Sequence, residues 1–383
     1  MSRSLRLITA GESHGRGLVG VLEGLPAGIP VSPKAIADEL ARRRLGYGRS
    51  GRQKLEADAL RIVSGVRHGR TLGSPVAVTI ENAEWEQKYR ELMGVEGEID
   101  PADKLTRPRP GHADLAGALK YGFDDVRNVL ERASARETAA RVALGAVCKA
   151  LLGELGISVV SHVVRIGSVS TRSRRVPGPG DVEVVDASSV RCLDGRTSAR
   201  MVQEIDRVRK DKDTLGGVFE VIAYGCPPGL GSHVHYDRKL DARLALALMS
   251  IQSVKGVEVG DGFASAAKTG SKAHDEVFRG LRRPTARSGG IEGGISTGQP
   301  IRLRAAMKPF STVPRPLRTV DLHTGQEAVA ITQRTDTCAV PAGAVVGEAV
   351  VAHVLADSVL EKFGGDSLTE TRRNLDAFVA GLP

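Results

Sequence analysis

The sequence predicts a chain of mixed α and β structure, on three observations. Residues 3–9, 17–23 and 301–307 alternate apolar and polar side chains, the period of a half-buried strand. Residues 124–155 and 341–363 carry apolar side chains through helical spacing, with many alanines that let backbones approach closely. Glycine is abundant, at 45 of 383 residues, which implies many tight turns and backbone-lined sites between the elements. The hydrophobic fraction of 41% supports a sizeable core, and with aromatics at only 3% that core is built from Val, Leu, Ile and Ala.

In chain order, the strands 3–9 and 17–23 flank Gly11-Glu12-Ser13-His14-Gly15, an acid, a hydroxyl and an imidazole on a bend between glycines. A histidine there exchanges its proton near neutral pH. Ser32-Pro33 is an N-cap followed by proline at the first helical position, opening a helix over 34–44. Gly46-Tyr47-Gly48-Arg49-Ser50-Gly51 matches GxGxxG, but it follows a helix, whereas the dinucleotide fingerprint needs strand, turn, helix. What remains is a loop carrying Arg43, Arg49 and Arg52. Residues 60–66 and 75–80 read as strands, and 82–110 as irregular chain containing the only tryptophan, Trp85. That chain ends in Arg107-Pro108-Arg109-Pro110-Gly111-His112-Ala113-Asp114, where two prolines stiffen an Arg/His loop suited to an anion.

The helical stretch 124–155 has a possible break near Ala133-Ser134. Buried arginines are rarely unpaired. Arg132 and Arg136 therefore call for a bound phosphate or for Glu131 and Glu137 as partners. A strand over 157–164, a polar loop to about 196 and a helix over 198–212 follow. Thr214-Leu215-Gly216-Gly217 before the strand 218–224 echoes Thr71-Leu72-Gly73-Ser74 before the strand 75–80, a hint of internal duplication. A helix over 237–249 leads into the glycine-rich stretch 255–300, too long for a mere connector and so a functional loop. The strand 301–307 delivers Lys308-Pro309-Phe310-Ser311-Thr312, a cation and two hydroxyls that can grip a phosphate. After Gln333-Arg334-Thr335-Asp336, a helix runs from Pro341 to Phe363. Ser367-Leu368-Thr369-Glu370 is a capping box opening the last helix.

The formal net charge of +9 favours anionic partners such as phosphorylated metabolites. Few aromatics argue against single-stranded nucleic acid, which wants stacking platforms. Cys148, Cys192, Cys226 and Cys338 lie far apart with no ligand spacing, which predicts reduced thiols, no metal and a cytoplasmic setting. Neither a leader segment nor a membrane span is expected.

Taken together, the motifs closely resemble the chorismate synthase family over roughly residues 5–374. The resemblance rests on Gly11-Glu12-Ser13-His14-Gly15 with Glu23-Gly24-Leu25-Pro26, on Arg132-Ala133-Ser134-Ala135-Arg136-Glu137-Thr138, and on Arg334-Thr335-Asp336 leading into the Pro341 helix. Arg109-Pro110-Gly111-His112-Ala113-Asp114 and Lys308-Pro309 add to it. Leu115 stands where the family often has tyrosine and Ser253 where alanine is common, and neither change removes a reactive group.

The resemblance implies an α+β fold, a pseudo-symmetric β-α-β sandwich with helices between antiparallel sheets, as a single domain over 1–383 that assembles as a homotetramer. It implies a trans-1,4 elimination of phosphate from 5-enolpyruvylshikimate 3-phosphate, giving chorismate, with reduced FMN required and no net redox change. His14 would protonate the departing phosphate, His112 would protonate or stabilise the reduced flavin, and Asp336 would handle the proton at flavin N5. Ser13, Arg43, Arg49, Arg109, Arg136 and Arg334 would bind the substrate. Arg132, Ala133, Ser134, Gln252, Ser253, Gly293, Lys308, Pro309, Phe310, Ser311, Thr312 and Arg334 would contact FMN. Asp336 follows Arg334 by two residues, so on extended chain the two would share a face and could instead form an ion pair.

Two other classes compete. A flavin oxidoreductase would turn over NADPH, with Arg43 and Arg49 as candidate contacts. No nicotinamide fingerprint is present, so an external flavin reductase is the expected source of reduced FMN. A nucleic-acid-binding protein would need a basic patch, yet the basic residues are mixed with 45 acidic ones.

Overall fold

The computed structural model describes residues 5–49, 58–173, 175–331 and 335–383. Four strands, β1 (Arg6–Ala10), β2 (Gly17–Glu23), β3 (Leu60–Ser64) and β4 (Val76–Glu81), form an antiparallel sheet in the order β1-β2-β4-β3. Five more, β5 (Ser158–Ile166), β6 (Val169–Ser170), β7 (Gly217–Tyr224), β8 (Val254–Val259) and β9 (Ile301–Met307), form a second antiparallel sheet in the order β8-β9-β7-β5-β6. The longer helices are α1 (Pro33–Arg44), α2 (Asp114–Tyr121), α3 (Arg127–Ala133), α4 (Thr138–Glu154), α5 (Gly195–Lys210), α6 (Leu240–Met249), α7 (Val340–Phe363) and α8 (Leu368–Ala380).

The sheets sandwich a helical layer, and the period-2 patterning shows why. Leu18, Leu22, Val76, Val78 and Ile80 are buried against α4, while Val19, Glu23 and Ile8 on the other face are exposed. In the second sheet Phe219, Val221, Ile301, Leu303 and Ala305 are buried, and Phe219 and Val221 meet α7. The small residues let α4 and α7 pack closely against one another. A Cβ on Gly145 would sit 2.5 Å from the Ala349 Cβ. The strands that follow the two Thr-Leu-Gly motifs, β4 and β7, each lie inside one sheet.

Several expectations are corrected here. The glycine-rich stretch 255–300 contains β8, an edge strand whose pairing with β9 is broken by a register shift between Val254 and Gly256. The irregular stretch 82–110 contains a π-helical turn, Trp85–Tyr89, and a 3-10 turn, Pro101–Asp103. The polar loop before α5 holds a short helix, Val182–Ala187, and α2 was not anticipated. Helix α7 is long and apolar enough to cross a membrane, contrary to the reading of the sequence, but 94% of that apolar window is buried among the protein's own elements. The break expected near Ala133-Ser134 is present, as a 3-10 turn between α3 and α4. The four cysteines are free and buried, and burial pushes the Cys226 and Cys338 thiols up to about 12.

One acid sits inside the apolar α7. Glu348 is 0% exposed and ringed by cations. Arg42 bonds both of its oxygens, at 2.8 and 3.1 Å, Lys149 lies at 2.5 Å, Arg191 at 3.2 Å, and Ser161 donates at 2.6 Å. Burial alone would raise its pKa, but the charges of Lys149, Arg42 and Arg191 hold it well below the usual carboxylate range. This hub ties α7 to α1, α4 and β5, beside the end of α1 that carries Arg43.

Candidate active site

Where the ends of the elements meet, a cleft of about 670 Å³ opens, within the range of small-molecule sites. Ser13 and His14 enter it from the β1–β2 bend, Arg43 and Arg49 from the end of α1 and beyond, and Arg109 to Ala113 from the Pro-rich loop. Ala133 to Arg136 come from the break before α4, Ile251 to Lys255 from the end of α6 into β8, and Lys308 with Phe310 to Thr312 from the end of β9. Thr138 at the start of α4, and Ala339 and Ala342 at the start of α7, also line it. Two long helices therefore aim their positive ends at the cleft, which favours an anion.

The bend depends on Gly11, which has φ +100°; a Cβ there would lie 2.2 Å from the Gly17 carbonyl oxygen. His14 is buried, its Nδ1 lies 2.9 Å from the Glu131 carboxylate, and its ring stacks on Tyr89 with centroids 4.1 Å apart. Ser134 Oγ donates to Ser13 Oγ at 3.1 Å. The α3–α4 break is what brings Ser134 to the cleft, because its side chain caps the 3-10 turn by accepting from the Arg136 N–H.

His112, half-buried, forms a cluster with the buried Arg109 and Asp114. Asp114 accepts from Arg109 Nε at 2.8 Å and lies 2.5 Å from His112 Nδ1. Arg109 Nη1 reaches on to Thr312 Oγ1 at 2.9 Å. Burial works to raise the Asp114 pKa, but the hydrogen bonds from His112 and Arg109 prevail and hold it at about 2. A folded pKa below the unfolded value stabilises the protein above the unfolded pKa, and the gain disappears as pH falls through the folded one. Asp114→Asn should thus cost about 2 kcal/mol at pH 7, and urea melts should show the difference from wild type shrinking between about pH 4 and pH 2.

Lys308 Nζ and Ser311 Oγ both donate to the Gly111 carbonyl, the latter at 2.7 Å, joining the end of β9 to the His112 loop. Gly111 has φ +79° and brings its backbone against both side chains. Ser253 is held with φ +70°, and its carbonyl accepts from the Lys308 N–H at 2.9 Å. Gln252 Nε2 donates to Glu137 at 3.3 Å, while its buried Oε1 has no hydrogen-bond partner among the described residues.

Arg49 Nε lies 3.0 Å from Asp336 Oδ2. Asp336 thus has a cation beside it in Arg49, while Arg334, Gln333 and Arg52 lie outside the described residues. Arg43 donates to Thr138 Oγ1 at 3.0 Å and to the Ala135 carbonyl at 2.9 Å. The partner expected for Arg136 is corrected. It pairs with Asp58 and donates to Asn82 Oδ1 at 3.0 Å, so it needs neither Glu131 nor Glu137 for that charge. Glu131 turns instead to His14, and Glu137 to Thr9, Arg141 and Gln252.

Not every singled-out residue lines the cleft. Arg132 is exposed and braces the bend by donating to the Gly11 and Thr9 carbonyls at 3.0 and 2.8 Å. Gly293 sits in the turn of the hairpin Ile291–Glu292 and Ile295–Ser296 and does not line the cleft, and Pro309 is passed over between Lys308 and Phe310. Glu131, Tyr89, Asp114 and Asp58 were missed as parts of the site. Only Asp114, two residues after His112, carried a local signal.

Among the described residues, no group of His, Cys, Asp and Glu could hold a metal ion. Comparison with known proteins gives one answer throughout. The family model described as chorismate synthase matches residues 5–360. The chain is 60% identical to the chorismate synthase of Acidothermus cellulolyticus over 99% of both chains. It is 61% identical to that of Leifsonia xyli subsp. xyli over 99% of this chain and 96% of the relative. A solved structure, "Crystal Structure of Chorismate Synthase", superposes with a TM-score of 0.78 at 41% identity, covering 98% of this chain and 97% of the other.

Proposed function

This chain belongs to the chorismate synthase family, and from that premise we propose how its cleft carries out the reaction. The enzyme is a lyase that eliminates phosphate from 5-enolpyruvylshikimate 3-phosphate to give chorismate, the last step of the shikimate pathway toward the aromatic amino acids. The finer reading is that reduced FMN shares the cleft with the substrate in a single catalytic domain.

The observation that carries this reading is the donor set of one cleft. Arg43, Arg49, Arg109, Arg136 and Lys308 line it together with Ser13, Ser134, Ser311 and Thr312. Substrate and FMN together bring two phosphates and two carboxylates, which guanidinium groups and helix N-termini bind well. Gln252 Oε1, without a partner among the described residues, fits a ligand that donates a hydrogen bond, as a flavin ring N–H does. Reduced FMN held there would supply electron density to the allylic system for the departure of phosphate.

Ser13, Arg43, Arg49, Arg109 and Arg136 bind and orient the substrate. Ala133, Ser134, Gln252, Ser253, Lys308 and Phe310 to Thr312 hold the flavin. His14 gives a proton to the departing phosphate oxygen. His112, backed by Asp114, protonates or stabilises the reduced flavin. Asp336 takes up and returns the proton at N5, and Arg49 holds its carboxylate in place. We read the source of reduced flavin as an external reductase, with Arg43 and Arg49 as the contacts should NADPH bind. We also read the protein as a cytoplasmic homotetramer with no nucleic-acid or membrane partner.

Asp336→Asn tests the assignment, since asparagine keeps the shape and a hydrogen-bonding group but cannot act as a base. Flavin and substrate affinities should stay near wild type, while single-turnover product formation under anaerobic conditions falls about 100-fold or more. A variant that turns over normally, or one that loses FMN while the bound fraction reacts at full rate, leaves Asp336 as only an ion-pair partner of Arg49.

A further inference from the structure

Behind His14 lies a carboxylate that the scheme above leaves unused. Glu131, on α3, is 1% exposed. Both of its oxygens lie 2.9 Å from His14 Nδ1, and Oε2 also accepts from the His14 backbone N–H at 2.9 Å. Its carbonyl accepts from the Ser13 N–H at 3.0 Å. One residue therefore holds the backbone at Ser13 and both the backbone and the ring of His14. Tyr89 covers a face of the ring, so the imidazole is fixed in plane and in depth.

A carboxylate is an acceptor only, so the ring proton at Nδ1 points to Glu131. No described residue bonds Nε2, the nitrogen left for the cleft. The other charged and titratable groups around the ring are few. Arg127 on α3 stands 3.8 Å from Glu131, Lys88 lies over the far Tyr89 ring at 5.1 Å, Glu12 shares the bend, and Arg136 shares the cleft. Glu131 is the only one of these in direct contact with the imidazole nitrogen.

We infer that Glu131 is the positioning residue of the reaction's proton donor: it holds a proton on His14 Nδ1, so that the imidazolium carries its transferable proton on Nε2, aimed at the leaving phosphate, and is left as the Nδ1–H tautomer once that proton is given. A buried acid that orients a histidine through Nδ1 while Nε2 handles the proton is a geometry that recurs on unrelated folds. This inference rests on the reading of His14 as the proton donor, so its test needs one measurement of the ring and another of the reaction.

The variants are Glu131→Gln, which keeps size and an acceptor but loses the charge, and Glu131→Asp, which keeps the charge at a shorter reach and serves should the Gln variant not fold. In the full-length protein labelled with 15N-histidine, the His14 ring signals, identified by their loss in His14→Ala, should show protonated Nδ1 in wild type and altered tautomer populations in Glu131→Gln. With reduced FMN, kcat should fall about 10- to 100-fold in Glu131→Gln with KM and flavin affinity nearly unchanged. The alkaline limb of its kcat/KM profile should move to lower pH, and Glu131→Asp should restore part of both. Unchanged ring signals in Glu131→Gln overturn the inference whatever the kinetics, and so does a loss of kcat with no movement of the limb. Altered ring signals with wild-type turnover uphold the positioning by Glu131 and overturn the assignment of His14 as proton donor.

Discussion

Replacing His14 with alanine should lower kcat about 10²- to 10⁴-fold, the range for loss of a general acid, while reduced FMN should still bind. The argument is geometric. His14 is buried on a bend that glycine makes possible, clamped by Glu131 at 2.9 Å and stacked on Tyr89. Ser13, Arg43, Arg49 and Arg136 share its cleft and carry groups suited to oxyanions. An imidazole held this firmly beside the proposed phosphate site is placed to protonate the leaving oxygen. His112→Ala should lower turnover by a similar factor through a different route, because His112 belongs to the Arg109–Asp114 cluster on the opposite loop. Flavin titration of each variant separates the two, since the His14 variant should retain normal flavin affinity. If both variants turn over normally, the two histidines serve only to hold the loops together.

Glu348→Ala should destabilise the protein by about 3–5 kcal/mol, the cost of leaving buried charges without their partner. Arg42, Lys149 and Arg191 converge on this one carboxylate, and Arg191 is itself 1% exposed. Glu39 pairs with Arg42 and Lys149, and Asp186 with Arg42 and Arg191, but neither acid lies inside α7. Urea unfolding should show a lower midpoint with an unchanged slope, the sign of lost stability without a change in the surface exposed on unfolding. A loss below about 1 kcal/mol would mean that Glu39 and Asp186 neutralise the cluster unaided.

How much of this was legible in the sequence depends on the range of the interactions. The strands 17–23 and 301–307 match the observed elements to the residue, because each packs one face on the helical layer and alternation records that contact directly. The helix cap at Ser32-Pro33 and the capping box at Ser367 are local chemistry and were equally plain. Strand β8 was hidden because Gly256 and a shift in register break its pattern. The composition of the cleft was legible through the motifs that carry the family resemblance. Its wiring was not. Glu131 meets His14 across 117 residues, Arg136 finds Asp58 across 78, and Glu348 gathers cations from α1, α4 and the loop before α5. Pairings at such separations are decided by the tertiary fold and leave no periodicity behind. Glu348 alone carried a hint, as a lone acid within an apolar helix.

The central claim is that this cleft uses reduced flavin to eliminate phosphate without spending it. The most direct measurement is an anaerobic incubation of the protein with 5-enolpyruvylshikimate 3-phosphate, with and without a catalytic amount of reduced FMN, following phosphate, chorismate and the flavin spectrum together. The account predicts equal amounts of phosphate and chorismate over many turnovers, no product without reduced FMN, and flavin still reduced at the end. One equivalent of flavin or NADPH oxidised for each product formed would contradict it and make the protein an oxidoreductase.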